Sequence, residues 1–244
     1  MAGWRLEPAY ADLAGEFGSL DDVFRLQGER ITRDSISDVI RVQIAGVPYY
    51  VKRYRKAGHP LGGYLVRPRV ENEWLNLQRF KRWGIPTVSL VAYGIQRRHG
   101  AFVRGALITK GLEESVDLAA IAANGDCRLG DAAWVARVSQ QVAHSTRTLH
   151  EHGFAHNDLK WRNLLVDSRD TVFFIDCPTG GFWRGPFLRH RVIKDLACLD
   201  KVAKRVLRRT QRLKFYLEYC GRRKLAGNDK ARVRAVLRYF EGRE

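Results

Sequence analysis

Residues 38–54, DVIRVQIAGVPYYVKRY, set Val39, Arg41 and Gln43 against Ile40, Val42 and Ile44, break at Ala45-Gly46, and resume from Val47 to Tyr54. A period of two interrupted by a glycine turn predicts a β-hairpin. Residues 56–67, KAGHPLGGYLVR, read as a loop. The period then changes. Val70, Trp74, Leu77 and Phe80 recur at helical spacing between Pro68, suited to a first helical position, and Gly84, suited to a C-terminal cap. At roughly 100° per residue, Glu73 falls inside this apolar stripe and Glu71 well outside it. A carboxylate on a core-facing stripe is costly unless a cation meets it. The segments VSLVAYGI and GAFVRGALITKGL predict two more strands. Asp131 then caps a long helix with Val135, Val138, Val142 and Leu149 on one face, stopped at Gly153. Further helices are expected over 190–209, roughly 211–220 and 228–241. Strands followed by helices predict an α+β chain with a sheet-rich N-terminal lobe and a mainly helical C-terminal lobe.

Composition adds a constraint on partners. The chain has 244 residues, 45% of them hydrophobic and six of them Trp, enough for one domain or for two small lobes sharing a cleft. Its net charge is +17, and residues 201–244 alone hold 15 Lys and Arg against 4 acids. Such a balance favours an anionic partner: phosphate, nucleic acid, a membrane surface, or an acidic protein such as an acyl carrier protein. No nucleic-acid motif is visible, so nucleic acid is the weaker candidate. Basic helices are also often mere solvated faces. The cysteines at 127, 177, 198 and 220 form no Cys-x-x-Cys pair, which argues against a zinc site or a disulfide framework. No signal-like or membrane-spanning apolar run is present, and a cytoplasmic protein is expected.

The candidate chemistry lies in two clusters, GFAHNDLKWRNLLVD (153–167) and TVFFIDCPTGG (171–181). His156, Asp158, Lys160 and Asn163 have the spacing H-x-D-x-K-x-x-N, and Asp176 follows a short apolar run. Upstream, Lys52 ends a strand and Glu73 lies on the next helix. This set matches phosphoryl transfer to a hydroxyl group. Asn163 and Asp176 are hard oxygen donors suited to Mg2+. Lys52 is a cation for nucleotide phosphates, oriented by Glu73. Asp158 is the carboxylate for the acceptor hydroxyl. Lys160 either contacts the transferred phosphate or lies solvated. His156 is expected to be a structural hydrogen-bonding residue, Asp195 a tether for the catalytic-loop backbone, and Cys177 a small packed residue.

These stretches, with VENEWLNLQRFKRWGIPT and VIKDLACLDK, make the chain resemble the bacterial lipopolysaccharide core heptose kinases of the protein-kinase-like superfamily, over roughly residues 20–210. The resemblance implies a two-lobed protein-kinase-like fold, with an antiparallel sheet plus one helix in an N-terminal nucleotide-binding lobe (1–110) and a mainly helical catalytic lobe (111–244). It implies ATP with Mg2+, a heptose of the lipopolysaccharide core as acceptor, and a peripheral position at the anionic inner-membrane surface. It also implies that the stretch from Thr109 to Leu112, with Gly111 in it, is a hinge offering backbone groups to adenine. The sequence departs from the protein-kinase pattern at Asn157, where Arg is usual, and at Asp176-Cys177-Pro178, where Asp-Phe-Gly is usual. Pro178 fixes its own φ, which suggests a static segment. The turn TRDSISDV carries no glycine, leaving Ser35, Ser37 and nearby amides to replace a glycine-rich phosphate cradle. Two alternatives stand beside the heptose reading. One is a different acceptor, either 3-deoxy-octulosonic acid or a protein tyrosine or serine. The other is a non-catalytic kinase-like scaffold binding an anionic partner.

Overall fold

The computed structural model describes residues 2–57 and 67–242, so residues 58–66 of the expected loop at 56–67 lie outside the described residues. The described chain forms two compact units, one of residues 1–79 with 87–113 and one of residues 80–86 with 114–244.

The first unit contains β1 (Ala2–Leu6), α1 (Ala14–Phe17), α2 (Leu20–Arg25), β2 (Glu29–Arg33), β3 (Ser37–Ile44) and β4 (Val47–Tyr54). The larger part of α3 (Arg69–Arg82), β5 (Leu90–Arg98) and β6 (Ala101–Lys110) complete it. Its strands form one antiparallel sheet in the order β1-β5-β6-β4-β3-β2. The β3–β4 hairpin turns where the sequence breaks: Ala45 and Gly46 both have positive φ, 48° and 81°, as a tight two-residue hairpin turn requires. Pro68 sits just ahead of α3, its carbonyl accepting from the amides of Glu71 and Asn72, and Gly84 takes φ 70° after the helix.

The expected single helix has company. Ser19 caps α2 by accepting from the amide of Asp22. Leu13, Phe17, Leu20 and Val23 pack with Ile40, Tyr49, Val51 and Ile108 into one buried cluster. The short N-terminal helices therefore cover a sheet face that would otherwise leave its apolar residues in water.

The second unit contains β7 (Val116–Asp117), α4 (Leu118–Ala123), α5 (Ala132–Glu151), β8 (Phe154–Ala155), β9 (Leu164–Val166), β10 (Val172–Phe174), β11 (Gly181–Phe182), α6 (Gly185–Val206), α7 (Arg209–Cys220) and α8 (Asp229–Arg238). Asp131 caps α5 as predicted, accepting from the amide of Ala133. The α6 helix begins five residues before its expected start, because Pro186 stands in its first turn, a position Pro favours. Two small antiparallel sheets, β10-β9-β7 and β11-β8, carry the polar clusters. Among the described residues no helix is long and apolar enough to cross a membrane.

Candidate active site

In the first unit, β4 places Lys52 and Tyr54 on one face, two residues apart. Both reach Glu73 of α3, which is only 4% exposed. The Lys52 Nζ lies 2.9 Å from Glu73 Oε2 and 3.1 Å from Oε1, and the Tyr54 hydroxyl donates to Oε2. The acid on the apolar stripe has thus found its cation. Tyr54 was not anticipated; its place two residues from Lys52 on the same strand was the available signal. Burial, followed by the Glu73 charge, pushes the Tyr54 pKa well up despite the opposing Lys52 charge, so Tyr54 remains a donor.

The glycine-free turn is organised by Asp34, a residue sequence reasoning passed over. Its Oδ1 accepts from the amides of Ile36 (2.6 Å) and Ser37 (2.7 Å). Burial works against ionisation here, but those two amides and the nearby Lys52 outweigh it and hold the Asp34 pKa below its usual value. The amides expected to join Ser35 and Ser37 in a phosphate cradle are therefore engaged by a carboxylate, and Ser37 itself is buried in β3. Thr109 lies in β6, opposite Tyr50 and Leu90. The Gly111 amide donates to Pro48 at 2.8 Å, so its carbonyl, and not its N–H, remains for another partner. A side chain at Gly111 would also meet Pro48 within 3.0 Å.

In the second unit, β9 and β10 pair Leu164 with Phe174, and the amide of Ile175 then donates to the carbonyl of Asn163 at 3.0 Å. Asn163 and Asp176 consequently stand at the same end of one hairpin. The loop before β9 is tied down from beneath. Fully buried Asp195 of α6 accepts from the amides of His156 (2.8 Å) and Asn157 (2.9 Å), which is the tether expected of it. His150 extends the network, with Nε2 3.3 Å from Asp195 and Nδ1 2.8 Å from the Tyr219 hydroxyl. Trp161 donates to the carbonyl of Leu199 at 2.9 Å, and Leu159 is fully buried. Asp158 is left partly exposed between two cations: Lys160 Nζ at 2.6 Å from Oδ1 and Arg162 Nη2 at 3.6 Å from Oδ2. Sequence reasoning missed Arg162.

The sequence profile of the lipopolysaccharide kinase (Kdo/WaaP) family matches residues 21–219. The chain belongs to this family. As a lipopolysaccharide kinase it is a phosphotransferase acting on hydroxyl groups. A solved structure described as WaaP in complex with acyl carrier protein matches with a TM-score of 0.75 and 23% identity, covering 98% of this chain and 100% of the other. At that identity the likeness establishes the fold, which is kinase-like as the resemblance implied. Comparison with curated protein sequences returns no match.

The kinase's departures from the protein-kinase pattern have local causes. Asn157 takes φ 66° and Asp176 φ 55°, left-handed conformations that Asn and Asp tolerate better than most residues. The Asn157 side-chain amide donates to the carbonyl of Thr179 at 2.8 Å, tying the Asp-Cys-Pro segment to the catalytic loop. Cys177 is the packed residue expected: it is fully buried, its thiol 3.8 Å from the His156 carbonyl. Gly180 lies so close that an added Cβ would stand 2.4 Å from the Cys177 sulfur.

His156 corrects one expectation. Both its ring nitrogens are buried and make no hydrogen bond among the described residues, and only its backbone amide is tethered. The ring instead lies 6.0 Å from Phe80, tilted by 30°. Burial lowers its pKa, against the opposing charges of Asp195, Asp176 and Asp158. The Ile175 backbone also opposes that shift, though it sits outside hydrogen-bond geometry.

The donor set fits a magnesium ion. The Asn163 Nδ2 is committed to the backbone carbonyl of Asp158 at 2.8 Å, which turns Oδ1 away as an acceptor that no described residue engages. Among the described residues no group of three or more His, Cys, Asp or Glu is arranged to hold a metal. One carboxylate and one amide oxygen, completed by water and substrate phosphate, is the sparse protein ligation Mg2+ accepts.

Proposed function

We propose that this kinase transfers the γ-phosphate of ATP to a heptose hydroxyl of the lipopolysaccharide inner core. The observation that carries the proposal is the catalytic loop, held by buried Asp195 so that Asp158 is presented beside Lys160. Asp158 orients the acceptor hydroxyl and takes its proton. Lys160 and Arg162 flank that carboxylate as counter-charges for the transferred phosphoryl group. Lys52, oriented by Glu73 and Tyr54, meets the nucleotide phosphates. Ser35 offers its hydroxyl at the turn and Ser37 shapes that turn, while Thr109 and the Gly111 carbonyl border the adenine. Asn163 and Asp176 would hold Mg2+, which when bound neutralises phosphate charge. In this reading residues 1–110 bind nucleotide and residues 111–244 carry the catalytic loop. The NEW…L…GIPT and KDLA stretches support a sugar acceptor.

Two partners follow. The basic surface of the C-terminal helices suits the anionic inner face of the inner membrane, where the protein would lie peripherally. It also suits an acyl carrier protein, the partner in the solved WaaP complex. A cavity of about 530 Å³ among α5, α6, α7 and α8 supports the second partner. It is lined by Val138, Leu196, Leu199, Tyr216 and Val236, with Arg209 and Arg212 also in its wall, and its apolar interior suits an aliphatic chain.

The test is direct. Purified protein is incubated with ATP, Mg2+ and deacylated core oligosaccharide, and the product is analysed by mass spectrometry. One phosphate added to heptose is expected. Asp158→Asn should retain ATP binding and lose roughly 10²–10⁴-fold in turnover. Phosphate found on 3-deoxy-octulosonic acid would replace the heptose assignment, and an unimpaired Asp158→Asn enzyme would remove Asp158 from the chemistry.

A further inference from the structure

The two most exposed large apolar side chains among the described residues are Phe187, at 71%, and Phe182, at 56%. They lie in a stretch with a distinctive charge. From Cys177 to Lys194 the sequence has no acid and carries Arg184, Arg189, Arg191 and Lys194. Phe182 belongs to β11, whose partner β8 pairs Phe182 with Phe154 and Gly181 with Ala155. The loop containing His156 and Asp158 follows β8 directly. The Trp183 amide donates to the carbonyl of Gly153 at 2.8 Å, fixing the segment to the same strand. The Phe182 ring packs edge-on against both Phe154 and Trp83, with centroids 5.4 and 6.1 Å away, and the residue is still 56% exposed. Phe187 begins α6 just after Pro186, and the Arg191 guanidinium lies over the Trp183 ring at 4.5 Å.

Two exposed aromatic rings on a segment that is fastened to the strand entering the catalytic loop, in a stretch of sequence whose charged residues are all cations, have the chemistry of a membrane-interface contact. Aromatic rings settle at the boundary of headgroups and acyl chains, and arginines pair with lipid phosphates. We propose that Phe182 and Phe187, with Arg184 and Arg189, form a lip that enters the interfacial region of an anionic lipid surface and brings Asp158 to the lipid-borne acceptor. The proposal rests on the lipopolysaccharide-kinase reading, because only a lipid-anchored acceptor gives the lip a reason to stand beside the catalytic loop.

The test uses the full-length protein sedimented with vesicles of phosphatidylethanolamine and phosphatidylglycerol. Phe187→Ser should weaken vesicle binding by about tenfold, the scale of removing one buried aromatic ring, and the double substitution Phe182→Ser, Phe187→Ser should weaken it further. Phe187→Leu should bind nearly as the parent does. The loss should persist at high salt, since apolar burial is not screened. Turnover of a soluble deacylated core should be unchanged in Phe187→Ser. The proposal is overturned if the parent does not sediment with these vesicles, or if Phe187→Ser binds them as the parent does. Equal loss of soluble and lipid-borne turnover would also overturn it, by making the rings part of a saccharide pocket or of a protein-docking site. A parent that binds vesicles but adds no phosphate to the soluble core would instead overturn the core-heptose acceptor and leave the lip standing.

Discussion

His156 shows how a single residue ties the site to pH. The ring sits fully buried between Phe80 and the carboxylates of Asp195, Asp176 and Asp158, and burial lowers its pKa from the ordinary 6.5. Below that value an unfolded chain takes up a proton on His156 that the folded protein resists, so the unfolded state binds more protons and stability rises with pH across this window. The contribution is complete above 6.5 and is lost as pH falls beneath it. Denaturant unfolding should show stability decreasing by at most about 1.4 kcal/mol per pH unit from this residue. His156→Leu, of similar volume, should flatten that part of the slope. Equal slopes in both proteins would mean that the histidine protonates freely in the fold. The sequence placed His156 beside Asp158 but could not reveal its role, because hydrogen-bonding capacity and burial look alike in a string of letters.

At the scale of elements, much was legible where local chemistry dictates local structure. The β3–β4 hairpin followed from its alternation and the Ala45-Gly46 turn, and α5 followed from its cap at Asp131. Glu73 was legible as a misplaced acid, and its partner Lys52 was found on β4. What stayed hidden depends on neighbours distant in sequence. The α2 helix is six residues long, too short to show a period, and is held by the sheet it covers. Asp34 closes the serine turn through its own carboxylate, a choice that composition does not announce. Tyr54 and Arg162 matter only because α3 and the catalytic loop bring carboxylates to them. The tether between α6 and the catalytic loop supplies the element-scale prediction. Asp195→Ala leaves two buried amides, those of His156 and Asn157, without their acceptor. Each hydrogen bond to a buried carboxylate is worth about 1.5–3 kcal/mol, so thermal and denaturant stability should drop by a few kcal/mol. Asp195→Asn keeps one acceptor oxygen and should fold more stably than Asp195→Ala. It should lower kcat more than tenfold while leaving the KM for ATP within about twofold, because the tether positions the loop and does not touch the nucleotide. A change confined to the ATP KM would contradict a positioning role.

For the whole molecule, the excess charge raises the question of which cations are free to act at a distance. Residues 201–244 are strongly basic, but the structure separates their roles. Arg212 makes two 2.7 Å contacts with Asp200, joining α7 to α6, and Arg222 pairs with Asp229. Reversing either would test the fold. Lys204, Arg205, Lys214 and Arg234 are exposed and make no ion pair among the described residues. If the basic end steers the kinase toward an anionic surface, changing these four to Glu should weaken binding to phosphatidylglycerol vesicles by about fivefold for each charge that lies near the surface, the equivalent of about 1 kcal/mol. The effect should fade as salt shortens the screening length from about 8 Å at physiological ionic strength. Salt dependence separates this contribution from that of Phe182 and Phe187, whose burial is not screened. Turnover of a soluble acceptor should not change. A four-fold reversal that binds vesicles at low salt as well as the parent does would leave the aromatic lip as the membrane contact and reduce the basic helices to a solvated or carrier-protein-facing surface.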